Sequence, residues 1–512
     1  MEPARPPGGA LSAPLLVAIR RCLAAGTLGL GVGLAAAFAS MGFAEAHAVL
    51  GDALLVSPYA RALFAGDPAT LAAVTLAVPA LGGLCVGLIA WTIPERRGFG
   101  PADAVFLAQT GDPPPRLRSS ALSTLGALIS LGCGASVGQY APLVWLGAAI
   151  GAATERLGLS GREGRAVAVA CGVAAAIAAA FSAPIAGLVF AHEVVLRHYS
   201  MRAFAPVAIA AACGHVVATA VFARPPLFMV AFDGVAGPWE YGLFALLGLL
   251  SAGVAWLLVR GILGAGALAG RLALPRGLRP MLAGLAVGLA ALALPETLGA
   301  GREALRFATI AGAFAPWELA ALAAAKLALT ALCLGFGFIG GAFSPALLIG
   351  SLWGALFAAA AGALAPDALS GPAPYAVCGM MAVASAVIGA PLATILIVFE
   401  LTRSYDLTIA AMVSVVLSSL AAHRLYGRSL FDLQLRARGF DLSLGRDKAL
   451  LSRRPLRAFM TDDYVAAAPE ETAAALRARL AAQGRAEAMV VDAAGRRRGV
   501  ARLARALAAP DA

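Results

Sequence analysis

The chain has 512 residues, of which 60% are hydrophobic and only 13% charged, and its mean hydropathy is +0.84. This balance excludes an ordinary soluble domain and a disordered chain, and predicts an all-α polytopic membrane protein. The net charge of +11 does not point to nucleic acid, because the basic residues fall in loops and in the C-terminal tail, as the positive-inside rule expects of cytoplasmic segments.

Residues 1–15 form a short Pro/Gly-rich cytoplasmic tail without a clean signal-peptide pattern, and the first apolar stretch carries Arg20-Arg21. Long apolar helices are predicted near 25–50 and 70–93, followed by a polar, basic loop from Pro94 to Pro115 with Arg96-Arg97. Residues 120–156 hold a glycine-rich turn leading into an apolar helix, Gly134 to Gly151, GASVGQYAPLVWLGAAIG. GREGRAV, Gly161 to Val167, is a loop entering the next helix. Ala183-Pro184 then leads to Glu193, nine residues past the proline, and further apolar runs lie near 203–222 and 240–263.

The second half opens near Pro280, with apolar runs near 280–294 and 317–334, then GFIGGAFSPALLIGSLWG from Gly337 to Gly354. Ala390-Pro391 leads to Glu400, and the last membrane run ends near Tyr426. These features give a membrane domain over 16–435, in halves 16–225 and 236–435, a linker over 436–454, and a soluble tail over 455–512. The seven cysteines stand singly without a CxxC, so neither disulfides nor a metal centre is expected.

The two glycine–proline turns repeat each other. One offset of 203 carries Gly134 to Gly337, Gly138 to Gly341, Tyr140 to Phe343, Pro142 to Pro345 and Gly147 to Gly350; an offset of 207 carries Glu193 to Glu400. Such a period in an apolar chain marks a two-halved transporter or channel. Proline suits a first helical turn, and the glycines expose consecutive N–H groups at the positive end of a helix dipole, which together make an anion site. The competing reading is that both turns are helix breaks needed for packing. Glu193 and Glu400 each end an apolar helix and read as capping or polar-packing residues. Lys326 either pairs with a carboxylate or snorkels to an interface, and His192 and His215 read as packing residues.

The two turn units, the helices APIAGLVFAHE and APLATILIVFE, and the string Gly341-Ala342-Phe343-Ser344-Pro345 resemble the CLC family of chloride channels and proton/chloride antiporters over about residues 20–435. The resemblance implies a CLC-type inverted repeat with broken helices, forming a homodimer with one pore per subunit. It also implies an anion site from Gly98, Phe99 and Gly100, from Gln139, Tyr140 and Ala141, from Ala342 and Phe343, and from Phe431. The family's gating glutamate falls on Tyr140, its central serine on Phe99, its late pore tyrosine on Phe431, and the antiporters' inner proton-relay glutamate on Val194. Glu163, in GREG, is not the gate, because the repeat offset and the proline place the gate at Tyr140.

A tyrosine with an ordinary pKa near 10 stays neutral at pH 7, so Tyr140 coordinates or obstructs an anion without running a proton cycle. The implied function is a passive chloride channel, with a central site that depends on backbone amides. Two alternatives stand beside it: a proton/chloride antiporter using Tyr140 with Glu193, and a non-conducting sensor or scaffold whose pore is plugged by Phe99, Tyr140 and Phe431. No nucleophile–base or metal cluster suggests an enzyme, and no cofactor is expected. The tail from Pro455 resembles a single CBS motif, with Leu476 and Leu480 on its helix and a turn over Asp492–Gly495. It either pairs across a dimer, caps the structure, or, as a weaker reading, binds a nucleotide. The expected location is the cell (inner) membrane with the tail cytoplasmic.

Overall fold

The computed structural model describes residues 13–55, 67–110, 112–158, 162–224, 234–310, 312–364, 369–452, 455–460, 464–502 and 504. The first half consists of α1 (Ala13–Leu54), α2 (Pro68–Thr92), α3 (Pro101–Gln109), α4 (Leu117–Gly132), α5 (Tyr140–Arg156), α6 (Arg162–Phe181), α7 (Pro184–Phe190) with a π-helical continuation over Ala191–Leu196, and α8 (Met201–Val216). The second consists of α9 (Glu240–Arg271), α10 (Arg279–Ala293), α11 (Arg302–Phe307), α12 (Pro316–Phe336), α13 (Phe343–Leu364), α14 (Pro372–Ile388), α15 (Pro391–Thr402), α16 (Tyr405–Tyr426) and α17 (Leu430–Arg436). Among the described residues, nine helices are long and apolar enough to cross a membrane. The chain is a multi-pass integral membrane protein.

The sequence repeat is a structural repeat. Helix α5 packs on α6 as α13 packs on α14. Glycine makes both approaches possible: a Cβ on Gly147 would fall on the Gly172 carbonyl, and one on Gly350 on the Gly379 carbonyl. The turns correspond down to backbone conformation, with Gly134 at φ 84° and Gly337 at φ 105°, both in the left-handed region open to glycine. Ser182 and Gly389, each just before an Ala-Pro pair, are also left-handed, at φ 56° and 71°. The strained Ser182 has its carbonyl held by His215 Nδ1 at 3.0 Å.

The two halves meet at corresponding points. Gly138 and Gly341 form an isolated antiparallel bridge: Gly138 N donates to Gly341 O at 2.7 Å and Gly341 N to Gly138 O at 2.9 Å. A Cβ on Gly138 would meet Ser344 Oγ at 2.7 Å, Ser344 N at 2.9 Å and Gly341 O at 3.0 Å. Gly138→Ala is therefore expected to break the junction, and the yield of monodisperse protein on size exclusion should collapse. The second contact is reciprocal too. Glu193 accepts from Leu392 N at 3.1 Å and Ala393 N at 3.0 Å; Glu400 accepts from Ile185 N at 2.9 Å and Ala186 N at 2.8 Å. Each carboxylate caps the first turn of the other half's helix, α15 or α7, neutralising the positive end of its dipole.

Lys326 departs from both expectations. It is 1% exposed, and its Nζ donates to the carbonyls of Thr297 at 2.8 Å and Gly299 at 2.5 Å. Gly299 N in turn donates to Gly134 O at 2.8 Å, and Thr330 Oγ1 lies 2.9 Å from Ser136 Oγ. Lys326 and Thr330 stand four residues apart on α12, so one face of that helix fastens the first half's glycine turn.

A second compact unit covers Leu444–Ala512, the first ending at Ser443. Residues 436–443 belong with the membrane unit because Arg438 binds Asp103 and Phe440 meets Phe106 edge-on, with ring centroids 5.2 Å apart. The tail unit has α18 (Arg446–Leu451), β1 (Val465–Ala467), α19 (Ala473–Ala482), β2 (Glu487–Val491) and β3 (Arg497–Arg502), with β1 and β2 parallel and β2 and β3 antiparallel. Leu476 and Leu480 pack with Val465, Ala467 and Ala488. Asp492 Oδ1 accepts from Ala494 N and Arg496 N, and Gly495 is left-handed at φ 73°. Apart from Ala504, the residues after Arg502 lie outside the described residues.

Candidate anion pathway

Helices α3, α5 and α13 each start inside the membrane unit, and Pro101 and Asp103 of α3, Ala141 of α5 and Ala342 just before α13 border one cavity of about 840 Å³. Its lining includes Gly98, Phe99, Gly100, Ala141, Ala342 and Phe431; Gln139, Tyr140 and Phe343 lie behind it, each at most 6% exposed. All the expected pore strings thus converge on one region. They differ in what they offer an anion.

Among the described residues, no protein acceptor is found for the backbone N–H groups of Ala141, Ala342 and Phe343. These amides sit at the positive ends of α5 and α13, where free N–H groups face anions best. The α3 entrance is different. Phe99 N donates to Ser123 Oγ at 2.8 Å, and Gly100 N donates to Asp103 Oδ2 at 3.0 Å while Asp103 N donates to Gly100 O at 2.9 Å. Phe99 and Gly100 therefore contribute shape rather than free amides. The Phe99 ring is stacked on Trp145, centroids 4.7 Å apart, with Arg97 5.4 Å from its face.

The cavity rim is cationic. Arg96, Arg97, Arg276, Arg279 and Arg438 line it beside Asp103. Asp103 binds Arg97 twice, at 2.6 and 3.0 Å, and Arg438 at 2.8 Å. The excess of guanidinium groups raises the local concentration of anions and repels cations.

Tyr140 immediately precedes Ala141, which lines the cavity. The tyrosine ring lies flat on Phe181, with centroids 4.2 Å apart and planes at 18°, and leans on Phe343 at 5.3 Å; Phe181 and Phe343 are 5.6 Å apart. Phe181 escapes a motif search because its only signal is its place two residues before Ala183. Phe431 enters from α17, which Ser429 caps by accepting from Asp432 N at 3.1 Å. Asp432 pairs with Arg197 at 2.5 Å, while Arg428 donates to the Glu193 carbonyl at 3.2 Å. The end of the first half's Ala-Pro helix thereby holds Phe431 in place. Val194 is buried on the π-helical turn. Arg162 to Gly164 open α6, while Gly161 and the side chains of Arg162 and Glu163 lie outside the described residues.

Two inverted halves, helix starts converging inside the membrane and a guanidinium-rich entrance define an anion-transporting membrane protein. The voltage gated chloride channel family model matches residues 81–423, and the chain belongs to that family, the CLC proteins. A ClcB-like chloride channel protein of Ralstonia nicotianae is 34% identical over 385 residues, 72% of this chain and 87% of the relative. A slow cyanobacterial Cl−/H+ antiporter shares the fold with a TM-score of 0.71 at 24% identity, over 82% of this chain and 98% of its own. A CLC-type fluoride/proton antiporter does so at 0.68 and 20%, over 83% and 99%.

Proposed function

We propose that this protein conducts chloride, or another small monovalent anion, passively and without chemistry on the anion. The observation that carries the reading is that, among the described residues, no free carboxylate accompanies the expected gate residue Tyr140. Tyr140 holds the gate position, Val194 the inner relay position, and the nearby Glu193 carboxylate is engaged by two amides of α15. A neutral phenol that opens by moving its ring passes an anion without binding or releasing a proton. Anions gather at the arginine-lined entrance, lose water against the amides of Ala141, Ala342 and Phe343, and pass when Tyr140 leaves Phe181.

The second reading is proton-coupled exchange, favoured by the two solved antiporters that share the fold. It routes protons through Tyr140 and Glu193. Recording chloride and proton fluxes together from reconstituted vesicles separates the two: Glu193→Gln leaves chloride efflux intact in a passive conductor and abolishes proton flux in an exchanger. The plugged-pore reading requires no anion flux at all. The family resemblance further supports a homodimer in the cell membrane with the tail on the cytoplasmic side, the tail capping the structure or pairing with its copy. A nucleotide in the tail is the weaker role.

A further inference from the structure

We propose that Ser344 supplies a hydroxyl ligand to the transported anion. The proposal rests on the reading that the anion passes between the starts of α5 and α13. Ser344 is the second residue of α13, next to the free amide of Phe343 and two residues from that of Ala342. It is 7% exposed, and its Oγ is wholly buried with no hydrogen-bond partner. A serine in a first helical turn commonly bonds a nearby backbone group. This one does not, and an unpaired buried hydroxyl is uncommon enough in a folded protein to need a reason.

The position of the hydroxyl supplies the reason. Ser344 Oγ packs closely against Gly138, since a Cβ there would stand only 2.7 Å from it. Gly138 precedes the first turn of α5, so the hydroxyl lies between the two helix starts that present free amides to the pathway. Among the described residues Ser344 Oγ has no hydrogen-bond partner, and a desolvated anion held by the neighbouring amides of Ala342 and Phe343 would supply the acceptor. A hydroxyl has one hydrogen to donate, and its lone pairs carry no charge to repel the anion. The preferred ligand is a small anion of high charge density, because such an anion gains most from a short O–H donor.

Titration calorimetry of the purified full chain with chloride and with thiocyanate tests this. Ser344→Ala and Ser344→Cys, which keeps the shape but replaces the strong donor, are each expected to weaken chloride binding about tenfold, the loss typical of one hydrogen bond to a charged group. Thiocyanate binding should change far less. Ser351→Ala removes another buried, unpartnered hydroxyl two turns further along α13, and should bind chloride like the parent. Unchanged chloride binding in either folded Ser344 variant would overturn the proposal. Equal losses for chloride and thiocyanate would do so as well, as would a parent protein that binds no chloride. Because no proton flux is measured, a proton-coupled mechanism would leave this result standing.

Discussion

Tyr140→Ala is expected to raise chloride efflux from reconstituted vesicles by roughly 5- to 150-fold. The Tyr140 ring makes two aromatic contacts, flat on Phe181 at 4.2 Å and tilted on Phe343 at 5.3 Å. Each aromatic pair contributes about 0.5–1.5 kcal/mol beyond simple burial, so losing both shifts the balance between shut and open by about 1–3 kcal/mol. Phe181→Ala removes one of the two contacts and should give a smaller rise in the same direction. Tyr140→Phe keeps both rings in contact and should leave the shut state in place. If Tyr140→Ala conducts no faster than the parent, the stack is not the barrier.

The second large effect concerns stability rather than flux. Glu193→Ala is expected to destabilise the protein by about 2–6 kcal/mol, read as a loss of thermal stability in detergent. The substitution strips the charged acceptor from Leu392 N and Ala393 N, and each orphaned buried donor costs about 1–3 kcal/mol. The negative end matched to the α15 dipole goes with it. Glu193→Gln keeps one oxygen in place and should lose about half as much. Glu400→Ala removes the mirror cap on α7, and its loss should be smaller because Glu400 is only half-buried. Equal stability of Glu193→Ala and the parent would remove the caps from the account.

Much of this arrangement is legible in the sequence because glycine and proline leave positional traces. The offset of 203 that carries Gly138 to Gly341 becomes a pair of reciprocal hydrogen bonds. The offset of 207 that carries Glu193 to Glu400 becomes a pair of reciprocal caps. The sequence shows that these residues correspond, but not that they reach across the repeat, since contact between halves depends on how the helices pack. Lys326 illustrates the same limit: a lysine in an apolar run suggests a carboxylate partner, and only the fold brings the Thr297 and Gly299 carbonyls to it.

The π-helical turn over Ala191–Leu196 was equally hidden. It adds one residue to the first Ala-Pro helix, so the matching left-handed ends are Arg197 and Arg403, one step off the glutamate register. The amides of Phe99 and Gly100 match the family string, yet their availability depends on Ser123 and Asp103, which no motif includes. Phe181 and Ser344 carry no motif signal either. One is found by its stack on Tyr140, the other by a buried hydroxyl without a partner.

The central claim is that anions cross without protons, and the most direct test asks whether a chloride gradient can drive protons uphill. Vesicles containing the purified protein are loaded with high chloride, diluted into low chloride at matched pH, and clamped electrically with a potassium ionophore while both ions are followed. The account predicts sustained chloride efflux with an external pH that stays flat until a protonophore is added. Proton movement against its gradient, in fixed ratio to chloride and abolished by Glu193→Gln, would contradict it and make the protein an exchanger.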